Sequence, residues 1–162
     1  MKYLIEKKEE VKIRVDLEEC IILKIRCGEK EEPIHHIYFS KDVKSLLEVA
    51  IGMYSGTIKK ITLLLSEEYV FIDEEITMKN VHSENANVIF QEYESVECVN
   101  FVTYVYTDGL KISISDEKSE IYIKMNKLYL GLSCKNKITE ICITQLNKNE
   151  IRHIKNELDI QA

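Results

Sequence analysis

The sequence predicts a mainly β fold of the α+β class: antiparallel sheets with a C-terminal five-stranded meander, followed by a short amphipathic helix. Three observations carry this reading. Apolar and polar residues alternate from Asn100 to Gln145, turn-forming pairs interrupt that stretch at Asp108-Gly109 and Asn126-Lys127, and helical spacing of apolar residues sets in only after Asn147. At 162 residues, with 45% hydrophobic and 31% charged content, the chain has material for one domain with one core. We divide it into a β-rich half at 1–65, an acidic excursion at 66–97, and the meander plus helix at 98–162.

In chain order, Val11 to Val15, Ile21 to Cys27 and Ile34 to Phe39 read as strands separated by charged loops such as Gly28 to Pro33. Ser40 occupies a cap position ahead of Val43, Leu46 and Leu47, so Ser40 to Leu47 reads as one or two helical turns. Val49 to Met53 and Ile58 to Leu65 form a hairpin turning at Ser55-Gly56. Gly56-Thr-Ile-Lys-Lys-Ile-Thr-Leu lines up with Asn136-Lys-Ile-Thr-Glu-Ile-Cys-Ile, and each opens on a residue that tolerates positive φ. Such hairpins resemble one another, so the match does not require a duplication. Tyr69 to Ile72 and Val88 to Phe90 are short strand candidates within an otherwise polar surface excursion of the kind that often carries function.

In the meander, a type I′ turn at Asp108-Gly109 pairs Val105 with Ile112 and Thr103 with Ile114. The loop Asp116 to Ser119 then sets Ile114 beside Ile121. The turn at Asn126-Lys127 aligns Ile123 with Leu130 and Ile121 with Leu132, and the loop Cys134 to Lys137 brings Ile141 to Leu130 and Ile143 to Leu128. One face stays apolar throughout, and a one-residue slip would invert it. Asn147 with Glu150 three residues on forms a capping box, and Ile151, Ile154 and Leu158 recur on one helical face. Burying those three side chains contributes roughly 5 kcal/mol before entropy.

Charge is the strongest functional signal. Between Ser66 and Glu97 stand nine carboxylates (Glu67, Glu68, Asp73, Glu74, Glu75, Glu84, Glu92, Glu94, Glu97) and one base, Lys79, a net -8 in about a fifth of the chain, whereas the rest carries 21 bases and 19 acids. Such a field favours a basic partner and opposes nucleic-acid binding. A solvated face is the commonest reason for surface charge, but it usually interleaves both signs. A metal site is disfavoured because the carboxylates lack calcium-loop spacing and the Asp73-Glu74-Glu75 run cannot converge on one ion. The alternative face of the meander presents Tyr104, Tyr106, Tyr122 and Tyr129, either interface residues or ordinary strand formers. Gly131 opposite Tyr122 gives the ring room to lie across the sheet.

No motif points to catalysis: G-x-S-x-G, H-E-x-x-H and phosphate-cradling glycine loops are absent from the sequence. His35 and His36, as strand neighbours, face opposite ways and cannot easily share an ion. No cofactor is expected. Five cysteines without a C-x-x-C pair read as free thiols of a reducing compartment, with all but Cys134 inside apolar runs and so buried. The Tyr3 to Ile5 run is too short for a signal-peptide core, and no stretch is long enough for a membrane span, so we expect a cytoplasmic protein with no membrane partner. Heavy use of Lys, Glu, Ile and Asn suggests an AT-rich bacterial genome.

Leu46 to Leu65, LLEVAIGMYSGTIKKITLLL, resembles a segment of bacterial immunity proteins from polymorphic-toxin and contact-dependent growth inhibition systems. There a strand, a turn with Ser/Thr-Gly and a strand of the form I-x-x-I-T-L follow one another. The resemblance covers about an eighth of the chain and transfers no binding residues. It implies a cytoplasmic, non-enzymatic protein that occludes a cognate toxin. Many such toxins attack nucleic acid through a basic cleft, which the acidic segment suits. Glu67, Glu68, Asp73, Glu74, Glu75, Glu92 and Glu94 would then attract the partner, with Tyr69, Phe71 and Tyr93 as desolvated anchors. An adaptor using the tyrosine face, and a small-ligand binder enclosing a cavity between the two β halves, remain as alternatives. The oligomeric state is not encoded in any feature of the sequence.

Overall fold

The computed structural model describes residues 2–161, and the side chains of residues 8–90 and 92–160. The first half contains β1 (Lys2–Lys8), β2 (Ile13–Asp16), β3 (Leu23–Cys27), β4 (Ile34–Phe39), β5 (Leu46–Gly52) and β6 (Ile58–Leu65). The acidic segment contributes β7 (Glu68–Phe71), β8 (Val81–Ser83), β9 (Ala86–Glu92) and β10 (Val96–Glu97). Then come β11 (Val102–Val105), β12 (Leu110–Ser113), β13 (Ile121–Met125), β14 (Leu128–Leu132), β15 (Ile138–Ile143) and helix α1 (Lys148–Gln161). The chain is mainly β with a short C-terminal helix, as the alternating pattern requires.

Two sheets share one core. The first has the order β10-β4-β5-β6-β3-β2 and the second β7-β11-β12-β15-β14-β13-β8, while β1 and β9 form a two-stranded ribbon. Ile25, Ile37, Val49 and Ile61 of the first sheet and Ile112, Ile123, Leu130 and Ile141 of the second belong to one buried cluster. Helix α1 adds Ile151, Ile154 and Leu158 to that cluster. Its capping box is formed in both directions: Glu150 N donates to Asn147 Oδ1 at 2.8 Å and Asn147 N to Glu150 Oε1 at 3.0 Å. His153 Nε2 donates to the Ile21 carbonyl at 2.8 Å and pins the helix beside the start of β3. Phe90 N donates to the Gly56 carbonyl at the other end of the β3–β6 pair and pins the ribbon there.

The hairpin reading holds for β13, β14 and β15: Ile123 faces Leu130, Ile121 faces Leu132, Leu130 faces Ile141 and Leu128 faces Ile143. The five strands are not a meander, however. β12 pairs with β15, Leu110 opposite Ile143 and Ile112 opposite Ile141, so the chain from β12 to β13 passes over the sheet end in a Greek key. Alternation places Ile112 and Ile114 on the core face in either topology, and face alone does not choose the neighbour. The β11–β12 register also differs by two residues, with Thr103 opposite Ile112 and Val105 opposite Leu110. The turn closes from Tyr106 N to the Gly109 carbonyl at 2.8 Å, and Gly109 lacks the positive φ of a type I′ turn. Its missing side chain serves close packing instead: a Cβ there would lie 2.6 Å from the Ile143 carbonyl.

Ser40 to Leu47 is not helical. Ser40 Oγ donates to the Asp42 carbonyl and Lys44 N to Asp42 Oδ1 at 2.9 Å, a local turn that competes with helix. Leu46 and Leu47 already belong to β5, and Val43 is 90% exposed. The two similar hairpins do share their turn conformation, with Gly56 at φ 70° and Asn136 at φ 57°.

The cysteine expectation needs correction. Cys27 and Cys142 are buried, but Cys20 and Cys98 are exposed along with Cys134. Cys20 sits in a turn at φ 65°, and Cys98 follows the two-residue edge strand β10. Burial pushes the Cys27 thiol up to about 12 and likewise raises that of Cys142. In the native protein, maleimide labelling should therefore modify three cysteines promptly, with Cys27 and Cys142 reacting only on unfolding. Five equally fast sites in intact-mass spectra would contradict that burial.

Candidate partner-binding surface

The acidic segment is not an irregular excursion. It supplies edge strands to both sheets: β7 lies parallel to β11, β8 parallel to β13, and β10 parallel to β4. Between β7 and β8 the chain crosses the outer face of the seven-stranded sheet. Thr107 N donates to the Glu74 carbonyl at 3.0 Å, Ile76 N to Asp108 Oδ1 at 2.8 Å, and Tyr122 N to the Asn80 carbonyl at 3.0 Å. Ala86, Val88 and Phe90 of β9 are fully buried. Two short apolar runs among acids therefore suffice for strands, because each needs only one buried face.

This path divides the acidic residues into groups. Glu67 precedes and Glu68 opens β7, Asp73, Glu74 and Glu75 follow its end, and Glu92, Tyr93 and Glu94 lead from β9 into β10. The loop 40–45 links the first group to β10: Ser45 Oγ accepts from Glu67 N at 3.0 Å, Lys44 Nζ lies 3.4 Å from Glu67, and Ser40 N donates to the Glu97 carbonyl. All of these carboxylate side chains except Glu97 are exposed. Among the described residues, Glu68, Asp73, Glu74, Glu75 and Glu94 form no ion pair, while Glu84 has Lys124 at 3.9 Å.

The aromatic candidates separate in the same way. Tyr69 and Phe71 lie on β7 with ring centroids 5.6 Å apart; Tyr69 packs against the core, Phe71 is 44% exposed, and Lys155 of α1 sits 5.3 Å over its ring. Tyr93 packs against His35, 5.2 Å between centroids. His35 and His36 diverge, His35 Nε2 to Ser95 Oγ and His36 Nδ1 to Glu48 at 2.7 Å. Among the described residues no three His, Cys, Asp or Glu side chains are placed to hold a metal ion.

The tyrosine face is the outer one, because the first sheet packs on the Ile/Leu face. Tyr129 is buried there, Lys111 sits 4.6 Å over Tyr104, and Tyr122 donates to the Glu140 carboxylate. The Tyr122 ring does lie across Gly131, where a Cβ would stand 3.0 Å from Cε1. Residues 76–80 roof part of this face, leaving a pocket of about 240 Å³ beside Tyr106, Lys111 and Tyr122.

The larger clefts, about 600 and 830 Å³, flank the loop 28–33 and open to solvent. Between them sits a residue that sequence reasoning missed. Glu32 is one of several acids in a charged loop, yet its side chain is only 4% exposed. Its Oε1 accepts from Tyr54 N and Ser55 N, both at 2.9 Å, and its Oε2 lies 3.2 Å from Lys59 Nζ. Burial opposes ionisation, but the Ser55 and Tyr54 amides and Lys59 outweigh it and hold the carboxyl down at about 2. This clamp ties the β3–β4 loop to the β5–β6 turn. Among the described residues no helix is long and apolar enough to cross a membrane. No known protein-family model matches the chain, and no curated protein shows significant similarity to it.

Proposed function

We propose that this protein is a non-enzymatic cytoplasmic immunity protein, which binds and occludes a basic, nuclease-type toxin domain in stoichiometric complex. The observation that carries the reading is the set of exposed carboxylates Glu68, Asp73, Glu74, Glu75 and Glu94, without an ion pair among the described residues: Glu68 lies on β7, and the others on the segments that leave β7 and lead into β10. Fixed charges of one sign steer a basic partner and raise its association rate, and the neighbouring Phe71 and Tyr93 offer area that binding would desolvate.

The test is a tagged pull-down from the native bacterium at low and moderate salt, run beside the triple variant Glu68→Lys, Asp73→Lys, Glu74→Lys. One basic toxin domain should be recovered in salt-sensitive complex, and the variant should bind it at least about tenfold more weakly, a loss of about 1.4 kcal/mol or more. Its melting temperature should stay near that of the parent, since these side chains are exposed and, among the described residues, form no ion pair. Equal capture by parent and variant would remove the acidic residues from the mechanism.

A further inference from the structure

The seven-stranded sheet ends at β7, which pairs with β11 on one side only. Ile72 N donates to the Val105 carbonyl, so even-numbered residues turn their amide groups toward β11 and alternation turns those of Tyr69 and Phe71 outward. Those two residues offer two N–H and two C=O groups along an open edge. The strand is also unusually apolar for an edge: Val70 and Phe71 are 46% and 44% exposed. Natural edges are commonly blunted by lysine, proline or a bulge; β7 itself carries none of these, although Lys155 of α1 reaches over the Phe71 ring.

The flanking charge decides what can pair there. Glu67 and Glu68 stand at one end, and Asp73, Glu74 and Glu75 at the other. A second copy of this chain adding its own β7 would set these carboxylates against one another, and like charges across a strand pair are destabilising. We infer that the β7 edge receives an extended basic segment of the partner as an added strand. Backbone bonds to Tyr69 and Phe71 supply the registration, Val70 and Phe71 the apolar contact, and the acids at both ends the sign selection. The inference rests on the basic-partner reading above and narrows its contact surface to β7 and its flanks, leaving out Glu92, Tyr93 and Glu94.

Residue-resolved amide exchange of the whole protein tests it, with a capped six-residue peptide of alternating Lys and Val as the probe. At about 10 mM peptide, roughly ten times a Kd at the weak, millimolar end of specific binding, the Tyr69 and Phe71 amides should exchange about tenfold more slowly, while those of Ile123 and Leu130 should not change. The alternating Glu and Val peptide should have no effect. Unchanged exchange at Tyr69 and Phe71, or slowing confined to another edge, overturns the inference. Phe71→Pro removes one outward donor without touching the β11 ladder, and Val70→Lys keeps the backbone but replaces the apolar contact with a positive charge that repels a basic strand. Each should weaken toxin capture at least tenfold. If the acid-to-lysine triple loses capture while Phe71→Pro and Val70→Lys retain it, strand addition is wrong and the basic-partner reading stands. If all the variants retain it, both fall.

Discussion

Phe90→Ala is expected to lower stability by about 3–5 kcal/mol, a large share of the roughly 5–15 kcal/mol that holds a typical domain together. Phe90 lies within the acidic segment, yet it is 1% exposed and belongs to the common core with Ala86 and Val88. Its amide is fixed on the Gly56 carbonyl at 2.8 Å, and a Cβ at Gly56 would stand 2.9 Å from the Phe90 carbonyl. A backbone held so closely to the β5–β6 turn cannot collapse into the space that the ring leaves, so a cavity should add to the lost burial. Urea unfolding should show the loss as a lower midpoint at nearly constant slope, with a melting temperature about 10 °C lower. Glu94→Ala in the same segment should lie within about 0.5 kcal/mol of the parent. A Phe90→Ala midpoint equal to the parent's would mean that residues 66–97 are detachable from the core.

Glu32→Gln is expected to cost about 3 kcal/mol at neutral pH and to flatten the acid limb of the stability curve. The folded carboxyl, at about 2, lies below its ordinary value of 4.5. As pH falls below about 4.5, the unfolded chain takes up a proton that the native state refuses, so this stabilisation declines with acidity and is gone once the folded carboxyl also titrates. Asp16, whose carboxyl burial would raise but Arg26 and Arg14 hold below its usual range, keeps its own acid sensitivity in both proteins. The difference between parent and Glu32→Gln therefore isolates Glu32. It should shrink from about 3 kcal/mol at pH 6 toward zero near pH 2. Gly52→Ala reaches the same clamp from the other side, because a Cβ there would occupy the place of Glu32 Oε1. Combining it with Glu32→Gln should cost little more than either change alone. Denaturant titrations across pH 2–6 decide the matter. A difference independent of pH, or fully additive costs, would show that Glu32 is not the ionised clamp.

The core candidates were legible where a short turn joins two alternating runs. Ile123, Leu130 and Ile141 meet in the register their spacing implies, because turn length and parity leave one pairing that keeps the apolar face inward. The Asn147–Glu150 box marks the helix start because both bonds join residues three apart in the chain. The candidate site was legible in sign and incompletely in shape. The carboxylates from Glu67 to Glu94 are exposed, but nothing local to Tyr69 or Val88 tells that their strands border two different partners, β11 and β1.

By itself, then, the sequence determined the β class, the faces of its strands, the two closing hairpins, the capped helix and the place of the excess negative charge. Each of these depends on residues within one turn or one repeat of each other. The tertiary structure alone decided that β12 lies beside β15, that β7 is an edge, that Val43 and Cys20 face solvent and that the Glu32 side chain is buried. Those outcomes depend on groups arriving from elsewhere in the chain: the Tyr54 and Ser55 amides that satisfy Glu32, and the β15 strand that claims Ile112. Alternation specifies which side of a strand must leave water, whereas which distant strand excludes that water follows from packing the whole core at once.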